Sequence, residues 1–390
     1  MNNKTSVSEF LKKNTMLLAL IVIVAFFYFK TGGTILYPQN INSLISQNAY
    51  VFILGIGMLI CILTGGNIDL SVGSVVCFTA AIGALVMQAG MPWWLAALAM
   101  IATGIVIGIW QAYWVAYIAV PPFIVTLAGM YAFRGLSNVI LDGYTVSVYN
   151  ETFLKVFGGG ANCYIPDFLG GSAINLTCVV AGILIVVIFA VASFVGRAKS
   201  SAKGYPVEAM GTFIGKIVLI AAAVVWISYM LAKFNGIPTV LILIGVVSVA
   251  YAYFTQKTRT GRYLYAVGGN AKATSLSGIN TKKVMFFAYV NMGFLSAVAG
   301  ITTLARATSA QPTYGQGYEM DAIAACFVGG ASAYGGIGTV FGTIIGALLM
   351  GVINQGMSIM GVDSNYQKVV KGIVLLVAVI FDVVSKREKK

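Results

Sequence analysis

Apolar segments of about 20 residues recur along the whole chain, separated by short polar or glycine-rich stretches. A helix of about that length crosses the hydrocarbon of a bilayer. Because 59% of the 390 residues are hydrophobic and 9% are charged, the chain has too little polar surface for a soluble core. We therefore expect an all-α transmembrane bundle of about 10 to 12 spans, with residues 1–390 forming one transmembrane domain and no soluble domain.

One apolar segment, 320–334, is too short for an ordinary span and has a glycine-rich exit. It is either a short span or a broken, re-entrant helix, which is tolerated only where protein buries it. The full spans are predicted near 14–30, 42–63, 70–90, 93–119, 122–141, 173–195, 213–232, 237–254, 284–304, 338–357 and 368–384.

Basic residues concentrate on one predicted side of the membrane. By the positive-inside rule that side is cytoplasmic. If 320–334 spans, both termini lie there, in a multi-pass protein of the inner-membrane type. The residues are Lys4, Lys12, Lys13, Arg197, Lys199, Lys203, Lys257, Arg259, Arg262, Lys272, Lys282, Lys283, Lys386, Arg387, Lys389 and Lys390. The longest opposite connection, 142–172, is then an external loop that either meets a partner or is a solvated connector.

The stretch 255–283 is the longest on the cytoplasmic face. Asn270 is a plausible N-cap for a short helix over 271–277, and Gly278 is a plausible left-handed cap at its end. Such a helix can dock in a groove of another subunit and transmit a push. An ordinary amphipathic surface turn is the equally supported alternative.

An acidic residue lies between two apolar helices in the motif 64–74. Asp69 there needs partners, which neighbouring amides and the hydroxyls of Ser71 or Ser74 can supply. It is either part of a functional site or a cap of the following helix.

Other small and polar residues are candidates for a pathway between helices. Their more common use is close packing and interhelical hydrogen bonding. With the three from the acidic motif, the pathway candidates are Asp69, Ser71, Gly73, Asn138, Asn291, Gly329, Gly330 and Asn354, and Gln111 and Gln355 are further polar positions.

A faint internal echo links two glycine pairs. Gly65-Gly66 leads into 82–87 and Gly329-Gly330 leads into 345–350, and these two hexapeptides are similar. Duplicated halves place a pathway at the repeat interface, although chance explains six residues as well.

Catalytic, metal and cofactor sites are not expected. The chain has no histidine, its five cysteines are scattered, and it has no complete phosphate-binding loop. It also lacks a ladder of buried charges like those of ion-driven pumps. Energy must therefore come from a separate subunit, or transport is passive.

Four blocks carry a resemblance to a known family: 65–74, 121–130 followed by Arg134-Gly135, 267–280 and 329–339. In these blocks the chain resembles the permease subunits of bacterial ABC importers for monosaccharides, the ribose, galactose and xylose group. It is most similar to xylose-type and multiple-sugar permeases, and its extra length lies around 196–236.

The resemblance implies that the chain translocates xylose or a related sugar and is not an enzyme. The implied partners are a cytoplasmic ATP-binding subunit, an extracytoplasmic sugar-binding protein and a second permease copy, in the lipid bilayer and without nucleic acid. Within the cytoplasmic coupling segment 261–283, the residues expected to couple to the ATPase are Gly268, Gly269, Asn270, Ala271, Ala273, Gly278 and Ile279.

Three alternatives stay open. One is an ATP-independent secondary transporter or channel for a small polar solute. Another is a membrane enzyme, which the missing histidine disfavours. The third keeps the family but changes the cargo to branched-chain amino acids or a furanosyl signalling molecule.

Overall fold

The computed structural model describes residues 15–171, 174–205, 207 and 209–387, and these are almost wholly helical. Lys4, Lys12, Lys13, Lys389 and Lys390 of the charge pattern lie outside the described residues. The helices are α1 (Thr15–Lys30), α2 (Pro38–Gln47), α3 (Ala49–Leu63), α4 (Val72–Gln88), α5 (Trp93–Ala116), α6 (Pro122–Leu141), α7 (Glu151–Phe157), α8 (Leu176–Ala202), α9 (Met210–Ala232), α10 (Thr239–Lys257), α11 (Arg259–Gly269), α12 (Ala271–Leu276), α13 (Thr281–Ala307), α14 (Tyr318–Val328), α15 (Val340–Ile359) and α16 (Ser364–Arg387). The predicted all-α membrane fold is confirmed.

Seven of the described helices are long and apolar enough to cross a membrane, namely α5, α6, α8, α9, α10, α13 and α15. Helices α2 and α3 pass the same test only as a pair bent by 42°, which gives up to eight spans. Helix α14 has 11 residues, so at ~1.5 Å per residue it is too short to cross alone. The structure therefore agrees with the broken-helix interpretation of 320–334.

Contacts divide the described chain into two compact units. Unit 1 comprises the described parts of 1–35, 44–163 and 240–390, and unit 2 comprises those of 36–43 and 164–239. The expectation of one transmembrane domain over the whole chain stays a prediction.

Unit 2 is built on the pair α8 and α9. A Cβ at Gly182 would lie 2.2 Å from Oγ of Ser228, so the glycine is what lets the two helices approach. Before α8, the half-buried Asp167 carboxylate accepts hydrogen bonds from Gly171 N at 2.8 Å and from the Thr177 hydroxyl at 2.7 Å. The hydrogen bond from the Thr177 hydroxyl, followed in size by the one from the Gly171 amide, holds the pKa of Asp167 well below its usual value. The carboxylate is therefore charged at neutral pH and holds this turn to the start of α8.

Unit 1 is organised around α13, which packs against α3, α4 and α5. The helix starts at a side-chain cap, because Asn280 Oδ1 accepts from Lys283 N at 3.0 Å. It ends at Thr308, whose left-handed φ of 53° stops the helical ladder. Most of its side chains between Ala288 and Ala305 are buried, so α13 forms the centre of unit 1.

One end of unit 1 is closed by the first part of the loop 142–172. Strand β1 (Val146–Ser147) pairs antiparallel with β2 (Ser309–Ala310). Next to it, Phe153 of α7 is fully buried in an apolar cluster with Ala84, Met100 and Leu304. This part of the loop is therefore held on the bundle by a packed helix.

Glycines bring α5 and α13 into backbone contact. Gly104 and Gly108 are one turn apart on α5, and a Cβ at Gly104 would lie 2.4 Å from the carbonyl oxygen of Gly293. A Cβ at Gly293 would lie 2.2 Å from the carbonyl oxygen of Gly104. Lipid supplies no hydrophobic drive between helices, so such close packing is a main source of their association.

We expect Gly293→Ala to lower the free energy of unfolding by about 1–3 kcal/mol, because the new methyl group forces the two backbones apart. Gly135→Ala on α6 is the matched control, since a Cβ there meets nothing within 4 Å. Thermal unfolding of both variants in detergent measures the difference. Equal melting temperatures would contradict the close-packing argument.

Candidate functional site

The predicted short helix is present as α12. Asn270 caps it, with its Oδ1 accepting from Ala273 N at 2.9 Å. The helix is followed by Gly278 with a left-handed φ of 87°. Both caps named from the sequence are confirmed, and the structure ends the helix at Leu276, one residue before the predicted end.

Helix α12 contacts α11 and α13 on one side and is exposed on the other. Thr274 is its buried residue, whereas Ala271, Lys272 and Ala273 are exposed. Leu276 is 82% exposed at its end. An apolar side chain displayed on a short, capped helix is suited to insertion in a groove of another protein.

Two loops of unit 1, 63–66 and 333–338, meet beside the end of α11 in what we call the glycine junction. The Gly336 amide donates to the Leu63 carbonyl at 3.1 Å. A Cβ at Gly66 would lie 2.0 Å from Ala333 O, and a Cβ at Gly335 would lie 2.5 Å from Gly65 Cα. Two loops far apart in sequence are therefore interlocked through their backbones.

Gly268, at the end of α11, is seated directly on this junction. A Cβ there would lie 1.9 Å from the Leu63 carbonyl oxygen and 2.4 Å from the Gly336 amide nitrogen. These are the two atoms of the hydrogen bond that joins the loops. Gly269 differs, since a Cβ on it meets nothing within 4 Å.

Asp69 belongs to a buried hydrogen-bonded chain. Its Oδ1 accepts from the Ser71 amide at 2.8 Å and from the Ser71 hydroxyl at 2.7 Å. Nε2 of Gln111 on α5 donates to that hydroxyl oxygen at 2.6 Å. The predicted partner Ser71 is confirmed, whereas Ser74 Oγ makes no hydrogen bond among the described residues. These hydrogen bonds from Asp69 through Ser71 to Gln111 fix the loop before α4 against α5.

The other polar pathway candidates lie at separate places in the structure, each with its own surroundings. Asn354 donates to Asn48 Oδ1 at 3.1 Å, and Asn291 accepts from the Tyr251 hydroxyl. Asn138 is exposed near the end of α6. The contact of Asn291 is interhelical and that of Asn354 joins α15 to the segment between α2 and α3, as the structural interpretation of polar residues predicts. A role in transport stays a prediction.

The glycine candidates lie at helix ends or loops, and a Cβ at Gly73 or Gly329 would meet the backbone of another segment. A Cβ at Gly73 would lie 2.0 Å from Gly315 O, and one at Gly329 would lie 2.4 Å from Gly342 O. Gly330 has a left-handed φ of 82°. Close packing therefore accounts for these positions.

A buried ion pair was missed from the sequence. Asp321 on α14 is fully buried, and its Oδ2 accepts from Lys371 Nζ at 2.8 Å and from the Tyr50 hydroxyl at 2.6 Å. The Tyr50 ring stacks on Tyr318 with centroids 3.5 Å apart. The available signal was the single charge Asp321 in 320–334 and a few charges, Lys371 among them, in 368–384, but nothing in the sequence states which residues pair.

Arg134, which follows the block 121–130, is held in place by hydrogen bonds. Its guanidinium donates to the carbonyl oxygens of Pro312 and Tyr314. It thereby fastens α6 to the loop between β2 and α14, which is the loop that contacts Gly73.

Lys371→Met should destabilise the protein by about 3 kcal/mol, because it leaves the Asp321 carboxylate buried without its counter-charge. Lys371→Met combined with Asp321→Asn should recover most of this loss, since no uncompensated charge remains. Thermal unfolding of wild type, the two single variants and the double variant in detergent gives the coupling. Additive losses would show that the two residues do not act as a pair.

Comparisons with known proteins agree with this architecture. The family described as "Branched-chain amino acid transport system / permease component" matches residues 40–212 and 178–379. The overlap of the two matches falls in unit 2, near the extra length expected around 196–236.

Curated relatives match nearly end to end. The xylose transport system permease protein XylH of Haemophilus influenzae is 38% identical over 374 residues, covering 96% of this chain and 96% of the relative. XylH of Escherichia coli K12 is 35% identical, covering 95% and 92%. The ribose import permease protein RbsC of Escherichia coli K12 is 33% identical, covering 95% and 94%.

No solved structure matches the chain. The sequence similarity nevertheless shows the family, because the family match covers most of the residues and several relatives exceed 30% identity over nearly their whole length. The chain therefore belongs to the family of transport-system permease components that includes these xylose and ribose permeases.

Proposed function

We propose that the chain is the membrane-spanning permease subunit of an ABC importer that carries a monosaccharide, xylose or a related pentose or hexose. The observation that carries this proposal is the similarity to xylose permeases over 95–96% of the chain. The chemistry of ATP hydrolysis belongs to a separate subunit, and this chain supplies the route.

The capped helix α12 is the contact for that ATP-binding subunit. The support is its exposure, its displayed Leu276 and its place in a basic stretch that the positive-inside rule puts in the cytoplasm. Of the coupling candidates, Asn270, Ala271, Ala273 and Gly278 shape or border the helix. Gly268 has a different position, against the glycine junction.

The opposite end receives the sugar from an extracytoplasmic binding protein. The support is α7 and its packed surroundings, which give the first part of the external loop 142–172 an ordered surface. The pathway runs beside a second copy of the chain, as in the group that the sequence resembles. In this arrangement both termini face the cytoplasm and the protein lies in the bacterial inner membrane.

One observation favours the alternative of an ATP-independent transporter. The Asp321–Lys371 pair is an ionisable pair inside an apolar bundle, and such pairs often serve ion coupling. The hydrogen bonds that Asp321 Oδ2 accepts from Tyr50 and Lys371 fit a structural role, whereas its buried Oδ1 has no partner among the described residues. The experiment below separates the two functions.

We expect the tagged chain, purified from its native membrane, to bring an ATP-binding subunit with it. In proteoliposomes with the matching binding protein, radiolabelled xylose should accumulate only when ATP is present, because the described chain has no energy source of its own. Vesicles with a non-hydrolysable ATP analogue are the control. Accumulation by the chain alone, without ATP, would replace this proposal with the alternative.

Gly278→Val should uncouple ATP hydrolysis from uptake. Its φ of 87° is left-handed, which costs a β-branched residue about 1–2 kcal/mol and shifts the end of α12. Gly278→Asn is the matched control, because asparagine tolerates this conformation. Hydrolysis and xylose uptake are measured in the same vesicles, and normal uptake by the valine variant would contradict the role of α12.

A further inference from the structure

Helices α11 and α12 are joined as one body. The Thr274 hydroxyl donates to the Ala266 carbonyl across the bend at 2.8 Å, and the Asn270 amide donates to the same carbonyl at 3.0 Å. Thr274 is also the buried side chain of α12. A displacement of α12 is therefore passed to α11 instead of being absorbed at the bend.

The last two turns of α11, next to the bend, contact the glycine junction at two points. Gly268 lies against the hydrogen bond between Gly336 N and Leu63 O, without room for a methyl group. One turn earlier, the Tyr265 hydroxyl donates to the Gly338 carbonyl at 3.0 Å. Any rotation of α11 must move both contacts together.

The junction in turn controls the ends of five helices. Its first loop joins α3 to α4, and its second joins α14 to α15. The second loop is also held to α16, because Asp382 Oδ2 accepts from Ala333 N at 3.0 Å. Beyond steric interlock, one backbone hydrogen bond joins the two loops, and a single such bond contributes only about 1 kcal/mol net.

We propose that the glycine junction is the inner gate of the transport route, and that Tyr265 and Gly268 are the positioning residues that make it follow α12. Tight backbone contacts allow the two loops to be either locked or parted, since a packed interface of this kind does not deform gradually. Rotation of α11 breaks the Tyr265 contact and the loop-to-loop hydrogen bond together. This inference rests on the proposed function and names the residues through which a movement of α12 reaches the gate.

The test compares Tyr265→Phe with Tyr263→Phe, two removals of a hydroxyl from the same helix. Tyr263 is 36% exposed, whereas Tyr265 reaches the junction. The wild-type and variant chains are purified with their ATP-binding subunit and reconstituted with the binding protein. Xylose uptake and ATP hydrolysis are then measured on the same vesicles.

The uptake per ATP hydrolysed should fall about five-fold in Tyr265→Phe, the equivalent of one lost hydrogen bond. It should stay within about two-fold of wild type in Tyr263→Phe. Gly268→Ala should lower the ratio further, by about ten-fold or more. Because Gly268→Ala changes a tight contact and can misfold, the result for the conservative variant Tyr265→Phe decides the test.

Two results overturn the inference alone. One is an unchanged ratio in Tyr265→Phe, and the other is a parallel loss of uptake and hydrolysis in that variant, which indicates general damage. A wild-type complex that binds no ATP-binding subunit, or that imports xylose without ATP, overturns the proposed function and this inference with it. The two failures are therefore distinguishable.

Discussion

Backbone-to-backbone contact at glycine is the constraint on which unit 1 depends. In a bilayer, burying an apolar side chain between helices instead of in lipid gains little, so association depends on close packing and on hydrogen bonds. The contacts Gly104–Gly293, Gly73–Gly315 and Gly329–Gly342 each place a carbonyl oxygen where a Cβ would otherwise be. The central helix α13 and both glycine-rich loops are thus positioned by residues that have no side chain.

Polar side chains supply the second kind of contact, and each is used where a backbone segment needs fixing. The chain from Asp69 through Ser71 to Gln111 holds the loop before α4, and Asn354 with Asn48 joins α15 to the segment between α2 and α3. A buried polar group without a partner costs roughly 1–3 kcal/mol, so these pairings favour one arrangement of the helices. The Asp321–Lys371 pair extends the same logic to charge, with Tyr50 as a third partner.

The features that the sequence predicted correctly are those that depend on residues close together along the chain. Span positions follow from apolar runs, and the caps of α12 follow from Asn270 and Gly278, because capping is a local interaction. The pairing of Asp321 with Lys371 and the meeting of Gly66 with Ala333 depend on residues far apart in the chain. A single sequence contains the residues for such contacts but no information on which ones meet.

Three glycines of one short segment illustrate this limit. In the sequence, Gly268, Gly269 and Gly278 have equal standing as candidates for coupling. The structure gives them separate physical reasons: Gly268 needs the absence of a Cβ because two backbone atoms occupy that space, whereas Gly278 needs a left-handed φ in open surroundings. Gly269 meets neither condition, because it is helical and a Cβ on it would meet nothing within 4 Å. The mechanical contact of the segment with the bundle therefore lies at Gly268, and its freedom to bend away from α12 lies at Gly278, ten residues further along the chain.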